Sequence, residues 1–298
     1  MLTRRSLLKS LAVGTAAAAL PGTLLAQQQG QRRNAAANTA DAIEALEVKG
    51  DIRQSVSKWT FGNIPMDEFC KICKRIGMVG IDLVSENEWD IVNSNDMIVT
   101  MGNGPDSIGF GFNRLAHHDR LIEGFTRLIP IAAEKKVPNL ICFSGERRGM
   151  SDDEGLANCV VGIKRLMPVA ERYGVTIHME LLNSLRDHRD YQADKTPWAA
   201  EIVKQVGSER FKLLYDIYHM QIMEGNLIDN IRRYQDVIGH YHTAGVPGRR
   251  DLDDQQEIYY PAVMRAIKET GYKGFVAHEF SPKNGLQSLR EAVALCDV

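Results

Sequence analysis

Glu180, Asp216, His242 and Glu279 are the residues of this 298-residue chain whose types and spacing could do chemistry. They follow one another at intervals of 36, 26 and 37 residues, and each sits in or at the end of an apolar, strand-like run. A lone carboxylate buried in such a run costs several kcal/mol without a partner. Three carboxylates and one imidazole converging on one point repel each other unless a cation joins them. Oxygen-rich ligation with a single nitrogen suits one divalent metal ion, with Mn²⁺, Mg²⁺ or Co²⁺ preferred over Zn²⁺. Each residue taken singly also has a plain reading, as a helix cap or half of a salt bridge. His240 and His242 share one face of a strand, whereas His278 and Glu279 point to opposite faces. Periodicity does not choose which of each pair meets a pocket.

The elements that would position these residues repeat. Strands are predicted at 58–63, 80–84, 97–101, 139–144, 176–182, 212–218, 240–244 and 275–280. Helical patterns lie between and after them, at 66–76, 87–94, 120–135, 152–173, 197–206, 227–237, 260–270 and 286–295. Ser151 followed by Asp152, Asp153 and Glu154 is a helix start, and Gly77, Gly174 and Gly271 fall at expected helix ends. Strands alternating with helices imply parallel pairing through right-handed crossovers. Eight units of about 30 residues favour a single α/β domain, a closed (β/α)8 TIM barrel, over an open doubly wound sheet. Such a barrel places its active site at the C-terminal ends of the strands, where the four residues fall. The dinucleotide-binding alternative lacks its glycine fingerprint, so the stretch around Gly102, Gly104, Gly109 and Gly111 reads as a loop over the barrel mouth.

Composition is that of a globular chain, with 44% hydrophobic and 25% charged residues and a formal net charge of −2. Residues 1–26 read as a twin-arginine-type signal peptide: Arg4-Arg5 and Lys9 precede a short apolar run interrupted by Gly14 and Pro21 and ended by Ala26. The run is too short for a membrane span, which needs roughly 20 residues. Cleavage there removes three basic residues and no acids, leaving 33 basic against 38 acidic and a net charge of −5. That balance argues against a nucleic-acid partner and, with the signal, for a periplasmic location. Residues 27–56 read as an N-terminal tether with one short helix over 40–48, and 57–298 as the catalytic barrel. Five cysteines do not make a disulfide scaffold.

The strings Tyr215-Asp216-Ile217-Tyr218-His219-Met220-Gln221 and Ile238-Gly239-His240-Tyr241-His242-Thr243-Ala244-Gly245-Val246-Pro247-Gly248-Arg249 carry a resemblance. With Glu224-Gly225-Asn226 and the loop Gly145-Glu146-Arg147-Arg148-Gly149-Met150-Ser151, they look like hydroxypyruvate isomerase and, more broadly, the xylose-isomerase-like TIM barrels of sugar isomerases and epimerases. The likeness covers roughly residues 58–295. It implies metal-dependent isomerisation or epimerisation next to a carbonyl of a small hydroxy-keto acid or sugar. It implies Glu180, Asp216, His242 and Glu279 as metal ligands, and Glu180 and Glu279 also as the proton-moving carboxylates. His219, Arg249, Asn183 and Glu146 are then implied as substrate-binding residues. Two departures stand out. Hydroxypyruvate isomerases carry Gln at the place of His242, where ketose epimerases carry His, and Arg186 stands where epimerases have a second Glu. A periplasmic lyase or hydrolase acting on 3-oxo-glycosides is the alternative on the same barrel, and an abasic-site endonuclease a more distant one. The oligomeric state is left open, homo-oligomer included.

The physics beside the resemblance is simple. A cation bridging a carbonyl and its neighbouring hydroxyl stabilises an enediolate by several kcal/mol, and a carboxylate on one face removes the proton. Return of the proton at the neighbouring carbon gives an aldose–ketose shift, and return from the opposite face gives an epimer. Of the remaining residues, Cys70 and Cys73 fall in a predicted helix and read as packing thiols, as does Cys142 on a strand. Trp59, Phe110, Phe112 and Trp198 are candidates for an apolar wall, and Asn103, Asn113, His117 and His118 for a closing loop.

Overall fold

The computed structural model describes residues 39–298. The proposed signal, and the tether up to residue 38, lie outside the described residues. Eight strands run β1 (Arg53–Ser57), β2 (Gly80–Asp82), β3 (Ile98–Val99), β4 (Asn139–Cys142), β5 (Thr176–Glu180), β6 (Phe211–Asp216), β7 (Ile238–Thr243) and β8 (Phe275–His278). All pair in parallel, in the order β3-β2-β1-β8-β7-β6-β5-β4. The remaining seam, β3 to β4, is joined through Gly102, whose N–H donates to Asn139 O (2.8 Å) and whose carbonyl accepts from Ile141 N (3.0 Å). The sheet thus curls into the expected (β/α)8 barrel.

Nine helices are described around it: α1 (Met66–Arg75), α2 (Trp89–Ser94), α3 (Leu115–Glu134), α4 (Asp152–Tyr173), α5 (Thr196–Val206), α6 (Ile217–Met223), α7 (Leu227–Arg233), α8 (Tyr260–Glu269) and α9 (Leu286–Cys296). Helix α4 has the expected bounds because its ends carry their own chemistry. Ser151 Oγ accepts from Glu154 N, and Gly174 closes the other end with φ 72°. Buried Leu, Ile, Val and Phe from strands and helices make the main core around the strands, and Met101, Ile141 and Leu214 form a smaller second cluster. Cys70, Cys73 and Cys142 are free and buried in it, as expected of packing thiols.

Three expectations are corrected. The strand placed at 58–63 is a 3₁₀ turn, Lys58–Phe61, and β1 lies before it, so the barrel begins inside the segment read as tether. β1 reads as polar because Gln54, Ser55 and Ser57 are in it, yet their neighbours satisfy two of them: Gln54 Nε2 donates to Val293 O, and Ser55 Oγ lies 3.0 Å from Thr100 Oγ1. Thr60 Oγ1 donates to Ser57 O and closes the turn that the aromatics disguised as a strand. The helix expected over 40–48 is a single 3₁₀ turn, Ala40–Ala42. Its backbone is taken by tertiary partners instead: Ala40 N donates to Glu68, Leu46 N to Arg75 O, and Arg75 Nε to Ile43 O. Finally, the sixth strand stops at Asp216 rather than 218, because Asp216 Oδ1 accepts from Tyr218 N (2.8 Å) and His219 N (3.2 Å) and so starts α6.

Candidate active site

Four strand ends bring Glu180, Asp216, His242 and Glu279 together. One ligand atom from each lies within 4.8 Å of the others, and all four side chains are buried. The facing atoms are Glu180 Oε1, Asp216 Oδ2, His242 Nδ1 and Glu279 Oε2, and none of them has a hydrogen-bond partner. His242 Nδ1 lies 2.7 Å from Glu279 Oε2 and 3.2 Å from Glu180 Oε1, at angles that make no hydrogen bond. Buried polar atoms are nearly always paired. Four atoms without a hydrogen bond on a common point, three carboxylate oxygens and one ring nitrogen, have the chemistry that suits a divalent cation. These residues could hold such an ion.

Alternation settles the ambiguous pairs. His242 reaches the cluster, and His240, on the same face, lies one layer deeper in the barrel with Nε2 3.0 Å from Asp82 Oδ2. His278 turns away from the cluster, its Nδ1 2.9 Å from Thr243 Oγ1 and its Nε2 2.9 Å from Gln54 Oε1, a satisfied structural histidine. Glu279 turns inward.

The charge state follows from what surrounds each group. Burial alone would pull the His242 imidazole down, but the carboxylates of Glu279, Asp82 and Glu180 hold it well above its usual value. Burial pushes Glu180 up, against His242, and pushes Asp216 up, against Arg249. Burial raises Glu279 too, but the Arg249 and His242 charges outweigh it and hold this carboxyl below its usual range. Arg249 Nη2 lies 2.6 Å from Glu279 Oε2 and 3.5 Å from Asp216 Oδ2, while Trp59 Nε1 donates to Glu279 Oε1 at 2.7 Å. Arg249 also packs over the rings of Trp59 and Tyr218.

A cavity of about 420 Å³ opens above the cluster, lined by Glu180 and Glu279 with Arg249, His188, Trp59 and Asp106 among others. Asn103, Gly104 and Ile108 line it from the glycine-rich loop, which therefore covers the mouth as expected. Of the candidate substrate residues, only Arg249 reaches this cavity. His219 and Asn183 sit behind it. Asn183 Oδ1 accepts from Arg186 N and Asp187 N, so its Nδ2 faces His219 Nδ1 at 2.6 Å. That Nδ1 must then accept, which leaves the His219 proton on Nε2, 3.5 Å from Asp216 Oδ2. Glu146 is not brought to the cluster. It pairs with Arg148 at 3.0 Å and lines a separate outer hollow with Arg147, Ser184, Arg189 and Asp190.

Among the other candidates, Trp59 and Asn103 line the cavity. Phe112 is core, Phe110 stacks on His117, and Trp198 donates to Asp152 O away from the site. Asp82, Asp106 and His188 are polar residues at or beside the site that the sequence reading passed over. Asp82 was accessible by the same rule as the others, since it is an acid inside the predicted strand 80–84.

The sequence model of the xylose isomerase-like TIM barrel family matches residues 89–297. The chain belongs to this family. A putative hydroxypyruvate isomerase of Homo sapiens is 37% identical over 116 residues, 38% of this chain and 42% of that protein. A 2-oxo-tetronate isomerase of Cupriavidus necator is 34% identical over 116 residues, 39% of this chain and 44% of that one. These matches span less than half the length of either relative. Among solved structures, a family 2 AP endonuclease from Brucella melitensis superposes with a TM-score of 0.73 at 20% identity, covering 82% of this chain and 97% of that one. At that identity the superposition speaks for the fold alone. No helix among the described residues is long and apolar enough to cross a membrane.

Proposed function

We propose that this chain is a divalent-metal-dependent isomerase or epimerase that moves a proton next to the carbonyl of a small hydroxy-keto acid or sugar. The observation that carries the proposal is the convergence of four buried atoms without a hydrogen bond under one cavity, two of whose owners, Glu180 and Glu279, also line that cavity. The names of the matched relatives, both isomerases, support the same reading.

A divalent ion held by Glu180, Asp216, His242 and Glu279 would polarise the substrate carbonyl and neutralise the negative charge that develops on its oxygen. The chain supplies the rest. Glu180 and Glu279 come from strands three apart around the ring and face the same space, so one can take a proton from carbon while the other returns one. Arg249, positively charged and at the cavity edge, orients an anionic or hydroxyl group of the substrate. Trp59 Nε1 fixes the Glu279 carboxylate, and its ring walls the cavity.

The test is incubation of the Mn²⁺-loaded protein with ketoses, hydroxypyruvate and 3-oxo-glycosides in D₂O. Solvent deuterium entering at an α-carbon of an isomerised or epimerised product is the expected result, and the product names the substrate class. Absence of deuterium exchange across the whole panel would overturn the proposal.

We also propose a periplasmic location reached by the twin-arginine route, on the strength of Arg4-Arg5 and the apolar run that follows. Replacing both arginines by lysine should retain the protein in the cytoplasmic fraction. Unchanged export would refute the route.

A further inference from the structure

Asp82 ends β2, opposite the strands that carry the cluster, and is wholly buried. Its two oxygens divide their work. Oδ1 lies 3.0 Å from His242 Nε2, in hydrogen-bonding geometry. Oδ2 takes the Thr100 hydroxyl at 2.6 Å and has His240 Nε2 3.0 Å away, off the line of a good hydrogen bond. The Thr100 hydroxyl in turn lies 3.0 Å from Ser55 Oγ. A buried carboxylate surrounded by a hydroxyl and two imidazoles is an anion held by its donors. Its contact to His242 decides which ring nitrogen carries the proton.

We infer that Asp82 is a positioning residue that holds the His242 imidazole with Nε2–H toward itself, leaving the Nδ1 lone pair for the ion. The inference rests on the metal-dependent reading above, since it gives the carboxylate a role only if His242 is a ligand. A carboxylate behind a ligating histidine fixes the ring and its tautomer and raises its basicity as a donor. Asp82, His240 and His242 also present three ligand atoms within 4.8 Å of one another, which raises the question of a second ion. The position argues against it. All three side chains are fully buried, Thr100 already takes one carboxylate oxygen, and His242 Nε2 would have to surrender the proton that Asp82 accepts. The position is also structural in part, because a charged group at the barrel centre must be paired wherever it stands. The two roles separate in their consequences. A purely structural carboxylate changes stability when removed, whereas a positioning one changes metal affinity in protein that remains folded.

The experiment is a calorimetric Mn²⁺ titration of the full chain and of Asp82→Asn and Asp82→Leu, without substrate, with circular dichroism and melting curves for each. The Asn oxygen can still accept the Nε2 proton, and Leu cannot. Loss of an outer partner of this kind typically weakens binding about 10- to 100-fold. That is the expected change for Asp82→Leu, with a smaller change for Asp82→Asn. Folded Asp82→Leu binding Mn²⁺ as tightly as the parent chain would overturn the inference and leave the functional reading standing. A parent chain that binds no divalent ion overturns both. Should the variants fail to fold, isotope-labelled histidine in the Cd²⁺-loaded parent chain answers the same question by NMR. Coordination of His242 through Nδ1 with a hydrogen-bonded Nε2–H is expected, and coordination through Nε2 would refute the inference.

Discussion

At the scale of single residues, the site is an excess of buried acid over buried base. Glu180, Asp216, Glu279 and Asp82 face the charges of His242 and Arg249. Neutralising Glu279 therefore relieves repulsion as well as breaking its pairing with Arg249, and Arg249 keeps Asp216 nearby. For Glu279→Gln we expect turnover to fall by about 10²–10⁴-fold, the usual worth of a positioned proton-transfer group, and the urea midpoint to fall as well, because Arg249 and His242 lose the charge that pairs them. Deuterium exchange and denaturation curves on the same preparation check both halves, and unchanged turnover would remove Glu279 from the proton-moving role. A histidine away from the site sets a pH dependence. His118 on α3 is 2% exposed, with Nε2 2.8 Å from Phe112 O. Burial pushes its imidazole below the usual value, and the Phe112 carbonyl opposes this only in part. At this group the unfolded chain therefore binds more protons than the folded one, so the His118 contribution to stability falls as pH drops through the ordinary histidine range near 6.5. Urea unfolding at pH 7.5 and pH 5.5 should show this loss, and His118→Gln should lessen it.

At the scale of elements, two devices convert strands into a site. Asp216 ends β6 by capping α6 with one oxygen, which leaves the other directed at the cluster. Cap and candidate ligand are the same side chain, so the two readings of this acid do not exclude one another. The second device is closure at Gly102, which bridges the β3 and β4 edges in backbone alone. A Cβ there would stand 2.8 Å from Trp89 Cζ2 and 2.9 Å from Leu140 Cδ2, both buried. Gly102→Ala should destabilise the protein by about 1–3 kcal/mol through overpacking at the seam. Chemical denaturation measures it, and an unchanged midpoint would mean that the seam yields without cost.

At the scale of the whole molecule, the fold brings like charges to its centre, so an ion that binds the folded state alone must stabilise it. At a free metal concentration 100 times Kd the gain is about 2.7 kcal/mol, on the order of 5–10 °C in Tm for a domain of this size. Thermal melts with Mn²⁺ and after EDTA should differ by that amount and depend on metal concentration. Identical melts across the titration would argue against a metal site in the barrel. Mg²⁺, Co²⁺ and Zn²⁺ in the same assay rank the ions.

The barrel class and the four converging residues were legible in the chain because both rest on local signals. Repeated strand and helix patterns count the units, and an acid or imidazole breaking an apolar run marks a strand end whatever the neighbours do. Residues 152–173 were bounded correctly because Ser151 and Gly174 cap the helix from within the chain. Arg53–Ser57 was missed because Gln54 and Ser55 are satisfied by Val293, His278 and Thr100, partners 45 or more residues away that no local window contains. The same distance hid the partner of Asp82, whose contact to His242 spans 160 residues. It also hid that Glu146 faces an outer hollow while Trp59, in a turn read as strand, reaches Glu279. Sequence by itself determined the architecture and the chemistry of the candidate ligand set, since those depend on residue type and period. Tertiary structure decided which face each histidine takes and which side chains support the cluster, because burial and pairing are settled only when distant segments meet.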